Sequence, residues 1–95
     1  MLDKIKQLME MKKQADQIKR ELEGMATEVS EVRGIKIVIN GAQYLKSVEI
    51  DGQLLKPENK ERLEQDILRS MNAAVKKSQA LAASKMKDLM PGLPF

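Results

Sequence analysis

The spacing of apolar residues changes twice along this chain, and that change limits the fold more than any other feature. Near the start, Leu8, Met11, Ala15, Ile18, Leu22 and Met25 recur at alternating three- and four-residue intervals. This is the rhythm of a helical heptad seam. Leu2, Ile5 and Met9 widen the seam at its beginning, and Gly24 supplies a stop signal. The pattern predicts one amphipathic helix of about 20–23 residues from Leu2 to Gly24. The period then falls toward two. Ile35, Ile37 and Ile39 alternate with Lys36 and Val38, and Lys46, Val48 and Ile50 alternate with Ser47 and Glu49. Thr27–Val32 is a weaker strand, rich in β-branched residues. Asn40–Gly41 between apolar strands is a strong short-hairpin signal, and Arg33–Gly34 separates the first pair. A three-stranded antiparallel meander is predicted.

The helical rhythm then returns. Asp51–Gly52 closes the sheet, Pro57 suits a first helical turn, and Glu58 and Glu61 suit its positive dipole end. Leu63, Ile67, Met71, Ala74, Ser78, Leu81, Ala82 and Met86 carry the pattern to about Leu89. This predicts a second helix of about 30 residues. Pro91–Gly92–Leu93–Pro94–Phe95 cannot extend it and reads as a flexible tail. There is no internal repeat, so residues 1–95 form a single domain of the α+β class, ordered α-β-β-β-α.

Element lengths set up a mismatch. Three strands span about 10–15 Å across, whereas the helices should measure about 33 and 45 Å. The sheet cannot cover both. The start of the first helix and the end of the last are expected to meet away from the sheet. The core is also thin. Tyr44 and Phe95 are the only aromatic residues, so aliphatic side chains and seven Met must fill it. A chain this short buries only about 60–65% of its unfolded surface. A homodimer is expected, with sheets or seams joined and helical arms protruding. Core filling is the expected role for most of Met9, Met11, Met71, Met86 and Met90.

Missing residue types exclude several functions. With no Cys and no His, thiolate chemistry, zinc–sulfur sites and the commonest general base are absent. No apolar run reaches the ~18 residues of a membrane span, and Met1–Leu2–Asp3–Lys4 opens no signal-peptide apolar region. A cytoplasmic protein without membrane attachment is expected. Glu49 and Asp51 share a strand face but lack a nucleophile or base beside them. Glu58, Glu61, Glu64 and Asp66 lack the Gly-bearing ligand loop of a cation site. No enzyme activity, metal, cofactor or small-molecule substrate is expected.

Charge is more informative in its distribution than in its sum. The net +3 resolves into +3 over residues 1–20, −4 over residues 21–66 and +4 over residues 67–95. No acid occurs between Ile67 and Lys87. At about 100° per residue, Arg69, Lys76 and Lys87 lie within about 20° of one line, opposite the apolar stripe. Lys6, Lys13 and Arg20 recur every seven residues, and Lys12 and Lys19 form a second line. With Lys77 and Lys85, these residues form candidate phosphate-contacting ridges for double-stranded DNA. No helix-turn-helix spacing, zinc finger or stacking aromatic supplies base readout, so weak sequence preference is expected. The competing reading is a protein-interaction adaptor that grips a partner through its heptad seams.

Val38–Ile39–Asn40–Gly41–Ala42, then Val48–Glu49–Ile50–Asp51, then Leu54–Leu55, resemble the central signature of the YbaB/EbfC family of nucleoid-associated proteins. Lys56–Pro57–Glu58–Asn59–Lys60–Glu61 through Asn72–Ala73–Ala74 is similar to that family's second-helix opening. The Pro91–Phe95 ending is similar as well. The resemblance implies an α-β-β-β-α protomer in an intertwined, tweezer-like homodimer. It also implies DNA binding in the bacterial nucleoid through helical arms, with effects on chromosome organisation and gene expression. One departure from the family pattern is the link between the first two strands, where only Arg33–Gly34 stands in place of a glycine-rich run.

Overall fold

The computed structural model describes residues 2–89; the expected tail and Met90 lie outside them. Helix α1 spans Leu2–Glu23. It is followed by strands β1 (Ala26–Val29), β2 (Ile35–Asn40) and β3 (Leu45–Ile50), short 3₁₀ turns at Gly52–Leu54 and Pro57–Asn59, and helix α2 (Lys60–Leu89). The strands form one antiparallel sheet in the order β1-β2-β3. The α-β-β-β-α order and both helix lengths match the apolar pattern, because a sustained helical period over 20 or more residues is the strongest signal a sequence carries.

Alternation on β2 builds the core. Ile35, Ile37 and Ile39 are 2%, 0% and 1% exposed and pack with Ala74 of α2. Leu63, Ile67, Val29, Val32 and Leu54 surround them. The buried positions of α2 are Ser70, Ala74 and Ser78, one per turn. Their small side chains allow the helix backbone to sit close over β2. The Ser70 hydroxyl donates to the Asp66 carbonyl one turn back at 2.7 Å, so it is satisfied inside the helix.

The hairpin signalled by Asn40–Gly41 is present, and its turn is longer than that dipeptide. Asn40 ends β2, residues 41–44 form the connection, and the left-handed residue is Gln43, with φ 62°. The Asn40 side chain explains this. Its Oδ1 accepts the Ala42 and Tyr44 N–H groups at 2.9 and 3.0 Å, capping the turn from within. Gly41 serves a different need. A Cβ there would lie 3.1 Å from both the Leu22 carbonyl oxygen and Leu22 Cδ2. A bulge between Val38 and Ile39 sets Ile39 opposite Leu45 and Ile37 opposite Val48. Leu45 therefore replaces Lys46 on the face of Val48 and Ile50, while the Lys46 ammonium sits 5.6 Å from the Tyr44 ring centre.

Strand β1 ends at Val29 rather than at the expected Val32. The chain turns instead through Gly34, whose φ is 93° and where a Cβ would be 2.8 Å from Leu54 Cδ1. The single glycine retained in this link is thus required both by conformation and by space.

The molecule is elongated. Its radius of gyration is 18.4 Å and its extents are 66 × 21 × 18 Å, whereas a compact chain of this length has a radius near 12 Å. Its surface is 7662 Å², against about 5,500 Å² for a folded monomer of this mass. The helices do not meet at their far ends as expected. The last turns of α2 lie beside the second half of α1, where Ile18, Glu21 and Leu22 are half-buried, and residues 2–17 continue beyond, exposed throughout. Met9 and Met11 are 66% and 64% exposed, so they fill no core within this chain.

Candidate nucleic-acid interface

The arms are anchored where three elements converge. The Gly41 N–H donates to the Leu22 and Met25 carbonyls at 2.9 and 3.0 Å, tying the β2–β3 turn to the end of α1. Asn40 Nδ2 donates to the Glu23 carbonyl at 3.3 Å, adding a second tie to α1. From the other side, the Ser78 hydroxyl donates to the Asn40 carbonyl at 2.7 Å and accepts the Gln43 N–H at 3.0 Å. Asn40 and Ser78 are 3% and 0% exposed. Beyond this junction the first 16 residues of α1 extend about 24 Å, and α2 runs on about 17 Å from Ser78 to Leu89.

The two helices carry the candidate cations, with Lys6, Lys12, Lys13, Lys85 and Lys87 on the projecting arms. Lys6, Lys12, Lys13, Lys19 and Arg20 are exposed along α1, and Arg69, Lys76, Lys77 and Lys87 are exposed along α2. Lys85 is half-buried, its Nζ 3.3 Å from Glu21 Oε2 across the α1–α2 contact. Arg69 Nη2 lies 3.7 Å from Glu31, which turns it toward the end of β1. Among the described residues, the other eight candidates form no ion pair. Arg20 Nε donates weakly to the Asp16 carbonyl at 3.4 Å. Lys4 is also exposed and unpaired on α1. It escapes the sequence argument because it falls on neither seven-residue line.

Cations near the sheet behave differently. Lys36 bridges Glu49 at 3.2 Å and Glu28 at 3.7 Å across three strands. Its pKa is raised, chiefly by the hydrogen bond to Glu49 and then by the charges of Glu28 and Glu49. Lys60 pairs with Glu64, and Arg62 with Asp66, one helical turn on. Three of the six basic residues in 21–66 are thus paired, Arg33, Lys46 and Lys56 form no ion pair among the described residues, and ten acidic residues outnumber the basic ones there. A groove beside β1, lined by Glu28, Glu31, Arg69, Asn72, Lys76 and Lys77, joins the two zones. The described residues contain no cluster of metal-ligating side chains and no helix long and apolar enough to cross a membrane.

Asn40 and Ser78 were not legible as site-building residues from the sequence. Asn40 reads as a turn residue and Ser78 as one position in a helical stripe. Only their spatial convergence reveals the junction.

Comparison with known proteins places this architecture. A solved structure of an uncharacterised protein from Helicobacter pylori shares the fold with a TM-score of 0.73, at 20% identity, covering 87% of this chain and 88% of that one. A nucleoid-associated protein of Clostridium kluyveri is 35% identical over 92 residues, covering 94% of this chain and 79% of that protein. One from Hahella chejuensis is 38% identical over 92 residues, covering 88% and 84%. The model of the YbaB/EbfC DNA-binding family matches residues 1–93. With its helix–meander–helix order and its cations on two projecting helices, the chain belongs to the YbaB/EbfC DNA-binding family, which is not a family of enzymes.

Proposed function

We propose that this protein binds duplex DNA as a homodimer in the bacterial nucleoid, laying its helical arms along the phosphate backbone with little sequence preference. The observation that carries this reading is the set of eight exposed candidate cations on the two helices that form no ion pair among the described residues, with Lys6, Lys12, Lys13 and Lys87 on the projecting arms and Lys19, Arg20, Lys76 and Lys77 close to their base. Each such cation near a phosphate displaces condensed counterions. The acidic centre repels phosphate and confines the duplex to the arms. No aromatic side chain stands on either described helix and no recognition-helix motif is present among the described residues, which favours contact with backbone and shape over sequence. Coating of this kind serves chromosome organisation and, through it, gene expression.

The dimer is supported by an uncovered apolar surface. Helix α2 lies over β1 and β2 and leaves the same face of β3 open, with Val48 50% exposed beside Leu45 and Ile50. At about 100° per residue, Leu68, Met71, Val75, Ala82 and Met86 fall within about 60° of one another on the flank of α2. A second α2 seated against this flank and over β3 would bury both surfaces, and two-fold symmetry would make the arrangement reciprocal. The alternative, an adaptor for another protein, draws on the exposed α1 residues Leu2, Ile5, Leu8, Met9 and Met11.

Fluorescence anisotropy with two duplexes of unrelated sequence tests the reading. For 6–10 phosphate contacts, affinity should fall about 10³- to 10⁵-fold between 50 and 200 mM salt, similarly for both duplexes. No binding at low salt, or binding indifferent to salt, would refute it.

A further inference from the structure

We infer that Asn40 and Ser78 are positioning residues for DNA binding: they set the direction of both arms from the sheet and touch no phosphate themselves. The inference rests on the reading of the arms as the DNA interface. Three observations carry it. The pair sits at the base of the arms, where the end of α1, the β2–β3 turn and the middle of α2 converge. Both residues are shut away from solvent, so their polar atoms are committed to one another and to the chain. Each also links different elements. Ser78 joins α2 to the turn, and the Asn40 amide joins the turn to α1.

The turn does not depend on Ser78. The Gln43 N–H also points to the Asn40 carbonyl at 3.3 Å, and Asn40 Oδ1 holds Ala42 and Tyr44 without help from α2. Ser78→Ala therefore releases α2 from a turn that keeps its own bonds. Asn40→Asp acts on the other arm. It retains Oδ1 and replaces the donor facing the Glu23 carbonyl with an oxygen, which repels that carbonyl. The charge of the arms is untouched by Ser78→Ala. Each arm would keep its remaining ties, the Gly41 bonds to α1 and the packing of Ala74 on β2, but would swing more widely about them, and its ordering would be completed only on binding.

The chain contains no cysteine, so Gln53→Cys spin-labelled together with Gln14→Cys or with Ser84→Cys reports the sheet-to-α1 and sheet-to-α2 distances in turn, when labelled chains are diluted with unlabelled ones. In pulsed electron resonance without DNA, the parent protein should give one narrow distance distribution for each pair. Ser78→Ala should broaden the distribution to the α2 label, and Asn40→Asp that to the α1 label, while circular dichroism stays native. DNA should narrow the distribution again. Affinity for duplex should fall about three- to tenfold in Ser78→Ala, with the slope of log affinity against log salt unchanged. A loss of affinity by unfolding alone would leave the distances of the folded fraction as they were. Parent-like widths in Ser78→Ala, or in Asn40→Asp should Ser78→Ala not fold, overturn the inference. Because the distances are read without DNA, they stand or fall separately from the DNA-binding assignment.

Discussion

Replacing Lys76, Lys77 and Lys87 together with Gln isolates the electrostatic contribution of α2. All three side chains are exposed and form no ion pair. Gln has nearly the helix propensity of Lys, and surface changes of this kind stay within about 0.5 kcal/mol in stability. The triple variant should thus melt like the parent. A dimer would lose roughly six charges, and at about 0.9 per phosphate contact the salt slope should fall by as much as about five. Over a fourfold change in salt, that difference in slope corresponds to a difference of about a thousandfold in the affinity lost. Anisotropy titrations of one labelled duplex across 50–200 mM salt measure both slopes. Lys85→Gln is the internal control. Its ammonium already faces Glu21 at 3.3 Å, so the slope should hold while stability drops by about 0.2–1 kcal/mol. A triple variant with the parental slope would refute the assignment of the α2 ridge.

Three further outcomes follow from the fold. Val48→Lys places a charge on the open face of β3, where Val48 is half exposed in the single chain. It should shift the protein to monomer in sedimentation velocity without unfolding it, and an unchanged dimer would exclude β3 from the interface. Gly41→Ala forces a Cβ against the Leu22 carbonyl, and overpacking of this kind costs about 1–3 kcal/mol. Calorimetry should show a clear drop in melting temperature, whereas Gly52→Ala, with open space around the site, should be neutral. Glu49→Gln removes the main cause of the raised Lys36 pKa. A raised pKa gives stability that is full at neutral pH and fades as pH climbs through the folded value. The variant should weaken that alkaline dependence, leaving only the contribution of Glu28, and an unmoved Lys36 ammonium titration by NMR would contradict the bridge.

The helices were legible because their apolar residues hold one period over many turns, with Gly24 and Pro57 marking an end and a beginning. The sheet was legible in outline but not in detail. Asn40–Gly41 marks a turn, yet its form depends on an Asn side chain folding back on Ala42 and Tyr44 and on the proximity of Leu22. Neither is a local property. The bulge that sets Leu45 opposite Ile39 breaks the strict alternation on which period counting relies. The basic ridges were readable because no acid interrupts the chain from Ile67 to Lys87. The pairing of Arg69 with Glu31 and of Lys85 with Glu21 was not, since each acid is remote in sequence and arrives only through tertiary contact.

Those two ion pairs bear on how a chain with a net charge of only +3 can favour a polyanion. The total charge matters less than where neutralisation occurs. At the sheet, Glu28, Glu49, Glu64 and Asp66 lie within ion-pair range of Lys36, Lys60 and Arg62. A phosphate approaching there meets those three paired cations, the unpaired Arg33, Lys46 and Lys56, and a surplus of acid, ten acidic residues to six basic in 21–66. Glu21 at the end of α1 and Glu31 beyond β1 take one cation from each end of the α2 ridge, Lys85 and Arg69, and fasten the helix to its neighbours. The unpaired candidates on α2 face far less acid, because residues 67–95 hold five basic residues and only Asp88. Exposed charges beyond about 10 Å of one another are largely screened at 0.1 M salt, so the duplex responds to the nearest cations and not to the molecular sum. Separating acid and base along a 66 Å molecule therefore gives the arms a local field far more positive than the net charge implies.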